Sequence, residues 1–303
     1  MDDDRKAAAA RTAGPGAAPV SDDFRGALMA VCAAVAFSIS AAVIKQLTAE
    51  LPEPVIALFR GLFATLFLAP VLARRGLDAF ATTRPVAHLW RGVLGFGSFL
   101  LFIYALRLLP LGDAMALSFT SPFWSILLGA AILGDRLSPR LCAAVAVGFG
   151  GVLLIAQPSG DTGLGAALAL LSAALTSLAM MAVKRLSSSE PPDRIAFYFT
   201  LFGTIVAVLP CLFIWKTPEA HHWPMLVLIG LLFFLGQTCL TRAYTYGTFS
   251  RVAPMDFTRL PLSLAIGFVW FGEQPTAWAA AGMALILAAS LDLILTARSR
   301  RPR

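Results

Sequence analysis

The chain has 303 residues, of which 58% are hydrophobic and 14% charged, with a formal net charge of +7. Soluble domains carry about 25% charged residues, so this chain has too few to cover a water-facing surface. The basic excess is spread over short segments and forms no cluster of the kind that grips nucleic acid.

In chain order, residues 1–25 form a polar, Ala/Gly/Pro-rich lead, predicted to be disordered and cytoplasmic; a cleaved signal peptide fits its long acidic start poorly. Apolar runs of about 17–25 residues, the length that crosses a bilayer, then recur to the end. They fall at 26–45, 54–73, 88–107, 113–133 and 140–157. Five more lie at 163–184, 194–215, 223–243, 250–272 and 275–296. The third is the weakest, free of charge only between Arg91 and Arg107, whose long stems are read as snorkelling to the interfaces. A basic tail, 298–303, follows.

Lysine and arginine alternate in step with these spans. Nineteen of the 24 fall in the lead, the tail and alternate connections, three (Lys45, Arg107, Lys216) in the other connections, and Arg60 and Arg259 inside spans. By the positive-inside rule this predicts ten spans in an inner membrane, with both termini cytoplasmic. Cys32, Cys142, Cys211 and Cys239 fall within spans without a C-x-x-C, and are read as small apolar residues free of metal or disulfide. His88, His221 and His222 stand at span entrances, where an interfacial role is expected.

The chain repeats itself. Residues 26–48 (GALMAVCAAVAFSISAAVIKQLT) lie over 165–187 (GAALALLSAALTSLAMMAVKRLS) at an offset of 139. FTSPFWSILLGAAILGDRLS (119–138) lies over FTRLPLSLAIGFVWFGEQPT (257–276) at 138, matching Asp135 with Glu273. Two units follow, 26–157 and 158–297. Five spans each is odd, so the second enters the membrane from the opposite face: the inverted repeat of many secondary transporters, with a site near the midplane. The predicted fold is all-α, ten transmembrane helices as two inverted five-helix repeats around a central cavity.

FRGLFATLFLAP (59–70), LRLLPLGDAMALSFTSPFWSILLGAAILGDRLS (106–138) and GFGGVLLIAQP (148–158) resemble an EamA domain, the five-span unit of the drug/metabolite transporter superfamily. The second half resembles another copy. The resemblance implies a cavity carrier with helices five and ten peripheral. Its substrate class is an amino acid, vitamin, nucleoside-like cofactor, sugar or other metabolite.

Polar residues inside the spans are the candidate site. Asp256 and Arg259, three apart, share a helical face, and charges at membrane depth are commonly functional. They either lock a kink as an internal pair, or Arg259 attracts an anionic group while Asp256 exchanges a proton. Pro122 and Pro261, near mid-span in each half and one residue out of register at the offset of 138, each remove an amide donor and predict kinks in spans four and nine. Arg60, about 10 Å below the surface at 1.5 Å per residue, either snorkels or offers a planar fork to a carboxylate or phosphate in the cavity. Ser118 and Ser121 are the first-repeat counterparts of Asp256 and Arg259. Tyr104, Trp124 and Gln237 add hydrogen-bonding or stacking capacity, read otherwise as packing. Asp292 is read as an anchor beside Arg298, and Lys45 and Lys184 as C-terminal cations on helices one and six.

The predicted function is a secondary transporter of a small polar, anionic or zwitterionic metabolite. Its partners are that substrate, the bilayer, and a proton or counter-substrate; no cofactor or nucleic acid is expected. An exporter working by the same mechanism is the alternative. ATP-driven pumping would need a G-x-x-x-x-G-K-[ST] loop, which is absent. An intramembrane enzyme would need clustered nucleophile and base or metal ligands, and no H-E-x-x-H or G-x-S-x-G occurs. A passive channel remains distinguishable by counterflow.

Overall fold

The computed structural model describes residues 20–74, 76, 80–133, 139–156, 163–186, 189–246 and 253–299. Eleven α-helices occur among them. The first six are α1 (Val20–Leu47), α2 (Glu53–Ala73), α3 (Pro85–Leu108), α4 (Leu111–Ser118), α5 (Ser121–Leu133) and α6 (Pro139–Ala156). Then come α7 (Gly163–Leu186), α8 (Pro192–Cys211), α9 (Trp223–Tyr246), α10 (Arg259–Phe271) and α11 (Ala277–Ser299), with short 3-10 turns at Ala220–His222 and Ala253–Thr258. Pro54, Pro85 and Pro192 open α2, α3 and α8, where the missing amide costs nothing. Gly272, at φ 67°, closes α10 with a left-handed cap.

Among the described residues, seven helical stretches are long and apolar enough to cross a membrane. Shorter apolar helices are Cys142–Ile155 within α6 and Ala277–Asp292 within α11. Apolar side chains point outward as well as inward, Val269 and Leu66 among them, as lipid contact allows. Trp90 at one end and Trp215, Trp223, Trp270 and Trp278 at the other are exposed near helix termini, the interfacial placement that suits an amphipathic ring.

Spans four and nine are broken where their mid-span prolines imply. Pro122 cannot donate to the carbonyl of Ser118, and the chain turns at Phe119 and Thr120 between α4 and α5. Ahead of Pro261 the ninth span runs as a 3-10 turn to Thr258 before α10 begins. Phe119 and Phe257, equivalent at offset 138, face each other across the two breaks with ring centroids 5.2 Å apart.

The two halves pack as exchanged images. Contact of α1 with α9 is matched by that of α7 with α3, α2 with α9 by α8 with α3, and α1 with α10 by α7 with α5. α2 packs on its own counterpart α8, and α6 on α11. Glycines show the correspondence atom by atom. A Cβ on Gly92 would stand 2.6 Å from Phe202; one on Gly230, its equivalent, would stand 2.4 Å from Phe63, the equivalent of Phe202. Only glycine lets these backbones approach so closely. The halves run in opposite senses. Lys45, in the last turn of α1, reaches the carbonyl of Leu109, and Gly165, in the first turn of α7, lies against that same Leu109.

Each end of the bundle is tied across the halves. At one, here called the Glu50 end, Lys45 pairs with Glu273 at 2.7 Å across the halves, beside an Arg107–Glu53 pair at 2.8 Å within the first half. Lys216 donates to the Glu50 carbonyl at 2.7 Å. At the opposite, Glu190 end, Thr82 and Arg194 both bond the Glu190 carboxylate. Burial pushes Glu190 upward, but those hydrogen bonds prevail and hold it below the usual carboxylate range. His88, expected at an interface, is instead fully buried against Tyr198, with ring centroids 4.7 Å apart. The reason is Glu190, contributed by the other half and 3.9 Å from its ring, which gives a buried imidazole a polar neighbour. The four cysteines are free, and Cys32 and Cys142 are exposed on the outer faces of their helices, not buried as small core residues.

Candidate functional site

Phe233, on α9, is the hub of an aromatic cluster at the seam between the halves. Phe37 from α1 meets it edge-on at 6.2 Å, and Phe199 from α8 lies 6.1 Å away. Three guanidinium groups stack on these rings. Arg60 is held between Phe99 and Phe233, 3.4 and 4.0 Å from their centroids. Arg91 lies 4.2 Å over Phe199, and Arg259 4.2 Å over Phe37. Cation–π contacts of this kind gain strength when water is excluded.

Their charge balance is uneven. Arg259 forms an ion pair with Asp256, 2.6 Å apart, a contact of charges rather than an aligned hydrogen bond, since Asp256 Oδ1 lacks one. Among the described residues, Arg60 and Arg91 have no anionic partner, and the Nε of each is sealed from solvent without a hydrogen bond. The cluster therefore carries three guanidiniums against one carboxylate. Arg60, Phe99, Phe199 and Phe233 line a small pocket together with Gly61, Gly95 and Gly203. The repeat explains the room. Gly95 occupies in the first half the position that Phe233 holds in the second, and Arg60 that of Phe199, so one symmetric frame carries different chemistry.

Of the residues singled out by sequence, the structure unites Arg60, Asp256 and Arg259 through the rings. Gln237 stands one turn beyond Phe233 on the same helix. The 13-residue α10 spans about 20 Å at 1.5 Å per residue, so Arg259 lies beyond the middle of an apolar layer about 30 Å thick. The other four face elsewhere. Tyr104 lies near the Glu53–Arg107 pair at the Glu50 end. Ser118 bonds back to the Met115 carbonyl at the break. Ser121 begins α5 and accepts from Ser125, itself bonded to Ser177 of α7 at 2.6 Å. Trp124 meets Phe149 edge-on at 5.4 Å, its Nε1 unpartnered.

Arg91 is the member that sequence reasoning missed. Six residues into α3, it was assigned to an interface. Its Nη1 instead folds toward Gly95, within 2.9 Å of where a Cβ would stand, and finds the Phe199 ring of the other half. The signal available was the glycine one turn on. Lys184, Arg185 and Arg298 have side chains outside those described, as does all of Asp135, so their expected roles stand outside this account.

Glu50, His221 and His222 gather at the Glu50 end, close enough to suggest a metal. Their hydrogen bonds argue for a brace. His222 Nδ1 accepts the Glu219 amide, so Nε2 carries the proton and donates to Glu50 Oε2 at 3.0 Å, leaving no lone pair for an ion. His221 bonds the same oxygen at 2.9 Å. That bond outweighs the opposing desolvation and, with His222 adding to it, holds the Glu50 carboxyl below the usual range.

The family model described as the EamA-like transporter family matches residues 24–157 and again 163–295. The chain belongs to that family. EamA members are transporters and not enzymes. A riboflavin transporter of Rhizobium johnstonii is 36% identical, over 92% of this chain and 93% of its own. A pseudopaline exporter of Pseudomonas aeruginosa is 31% identical, over 89% of this chain and 96% of its own. An S-adenosylmethionine uptake transporter of Rickettsia prowazekii is 27% identical, over 86% and 89%. One crystal structure, 19% identical, superposes with a TM-score of 0.62 over 93% of this chain and 99% of that one, which supports the fold. In EamA terms the arginine–phenylalanine cluster draws on both repeats, α1, α2 and α3 from the first and α8, α9 and α10 from the second.

Proposed function

We propose that this protein is a secondary carrier that moves a small polar metabolite through the cavity beside Phe233 by alternating access. The substrate presents a flat ring to Phe199 and Phe233, and carboxylate or carbonyl oxygens to the N–H groups of Arg60 and Arg91. The observation that carries this is the Arg60 guanidinium, which lines a chamber shared by both repeats and has no anionic partner among the described residues, with Arg91 likewise unpartnered over the nearby Phe199 ring. Burying such charges is costly unless something pairs with them, and a transported acceptor group does so while it is bound. The names of the relatives, carriers of riboflavin, pseudopaline and S-adenosylmethionine, support a metabolite carrier.

Asp256 and Arg259 hold the junction where the ninth span changes from 3-10 to α, a position that bends as the halves rock. The positive-inside tally places the Glu190 end, both termini and the basic tail in the cytoplasm of an inner membrane, and the Glu50 end outside. Export is the second reading, favoured by the likeness to the pseudopaline exporter.

Counterflow in proteoliposomes tests the proposal. Vesicles preloaded with unlabelled riboflavin, S-adenosylmethionine or an aromatic amino acid are offered the labelled compound. Saturable overshoot with at least one, lost on combined replacement of Arg60 and Arg91 by Met, is the expected result. Flux that neither saturates nor exchanges would mark a channel instead.

A further inference from the structure

At the Glu50 end a second, small cavity holds a carboxylate that the transport reading does not use. Asp113, in the first turn of α4, is 8% exposed, and its Oδ1 is sealed with no hydrogen-bond partner. Glu273 lines the same cavity with Gly112 and Leu264. The two acids are not equivalent. Glu273 is fully engaged, taking Lys45 Nζ at 2.7 Å on one oxygen and the Leu111 amide at 2.7 Å on the other. Lys45 also donates to the Leu109 carbonyl. Among the described residues, Glu273 and Lys45 are the charged groups that act on Asp113. An acid in the first turn of a helix gains from the dipole, yet the sealed oxygen of Asp113 meets no amide.

Two carboxylates thus share one ammonium, and that ammonium is committed to Glu273. We propose that Asp113 binds and releases a proton, and that the Lys45–Glu273 ion pair is the latch this titration works. With the proton on Asp113 the group is neutral. Lys45 then stays on Glu273 and ties the end of α1 and the α3–α4 turn to the α10–α11 connection. When the carboxyl O–H bond breaks, the proton leaves to water through the cavity. The Asp113 carboxylate then competes with Glu273 for Lys45, and the tie across the halves loosens. Ionisable groups at membrane depth commonly serve as proton sites. The sequence left Asp256 open as an internal ion pair or a proton site, and in the structure its Oδ1 lies 2.6 Å from Arg259. The proposal concerns the opening of one end and needs no substrate, so it stands or falls separately from the counterflow test.

The experiment places a reporter thiol in the cavity, Leu264→Cys, in the full chain with its four native cysteines replaced by serine, reconstituted in phosphatidylethanolamine–phosphatidylglycerol liposomes. The labelling rate by an impermeant maleimide is followed across pH with Asp113 present and with Asp113→Asn. Thiol ionisation is common to both, so the ratio of rates isolates Asp113. The ratio is expected to rise by about tenfold from acid to alkaline conditions, a coupling of ordinary size between linked sites. Lys45→Met should label fast at every pH. A ratio that stays level, or a Lys45→Met chain as slow as its parent, overturns the proposal. Asp113→Glu guards against a folding defect: it keeps the proton site and should retain the response at a displaced midpoint, and a folded but unresponsive Asp113→Glu also overturns it.

Discussion

Replacing Arg60 by methionine separates a binding role from a scaffolding one. The substitution keeps an unbranched apolar stem, shortens the side chain and removes its charge. Two stacked contacts are lost, at 3.4 and 4.0 Å, worth about 2 kcal/mol each in a desolvated setting. Removed with them is the cost of holding a charge at depth, about 2.5–3.5 kcal/mol. The terms nearly cancel, so folding stability should change by only about 1 kcal/mol. Substrate affinity has no such offset. A hydrogen bond to a charged group is worth about 1.5–3 kcal/mol, a loss of roughly ten- to 150-fold in affinity. Thermal unfolding of the detergent-purified protein reads the first quantity, and the concentration dependence of counterflow reads the second. Arg60→Lys should also lose affinity, because an ammonium lacks the planar fork. A large drop in unfolding temperature with unchanged affinity would refute the reasoning and make Arg60 a packing element.

Asp256→Asn should destabilise the fold by about 1–3 kcal/mol, less than for a fully buried pair because both side chains keep some exposure; thermal unfolding checks this, and adding Arg259→Met should recover part of the loss. Gly92→Leu and Gly230→Leu should each prevent a monodisperse protein on gel filtration, since even a Cβ meets Phe202 or Phe63 below 3 Å. Gly150→Ala, with nothing within 4 Å, should behave as the parent. Glu50, held low chiefly by its bond from His221, gives a pH prediction. A carboxyl depressed in the folded state stabilises above its unfolded pKa and loses that contribution as pH falls through the folded value. Glu50→Gln should therefore differ from the parent at neutral pH, and the two unfolding temperatures should converge in acid.

The sequence made some of this legible for physical reasons. Span length and the alternation of arginine and lysine are properties of the chain against a bilayer, so they need no tertiary knowledge. The mid-span prolines 122 and 261 announced the breaks in spans four and nine, because a missing amide acts locally. The odd number of spans in each repeat pointed to opposite orientations. What stayed hidden depends on contacts between the halves. These helices are apolar on every side, so periodicity does not say which face of α3 or α9 turns inward. Arg91 looked interfacial because its ring partner, Phe199, comes from the other repeat. Asp113 was passed over inside a familiar stretch because its lack of a partner is a fact of three dimensions. Tyr104 and Trp124 drew attention as polar aromatics, and the fold gave them other neighbours.

Opposite-sided labelling of the two repeats is the decisive measurement. Ala49 follows α1 and Ser189 follows α7, the matching helix of the second half; both residues are exposed. Single cysteines at these positions, in intact cells treated with an impermeant maleimide, should react at 49 and stay protected at 189 until the membrane is opened. Reaction of both from the same side would contradict an inverted pair of repeats, and with it the alternating cavity beside Phe233.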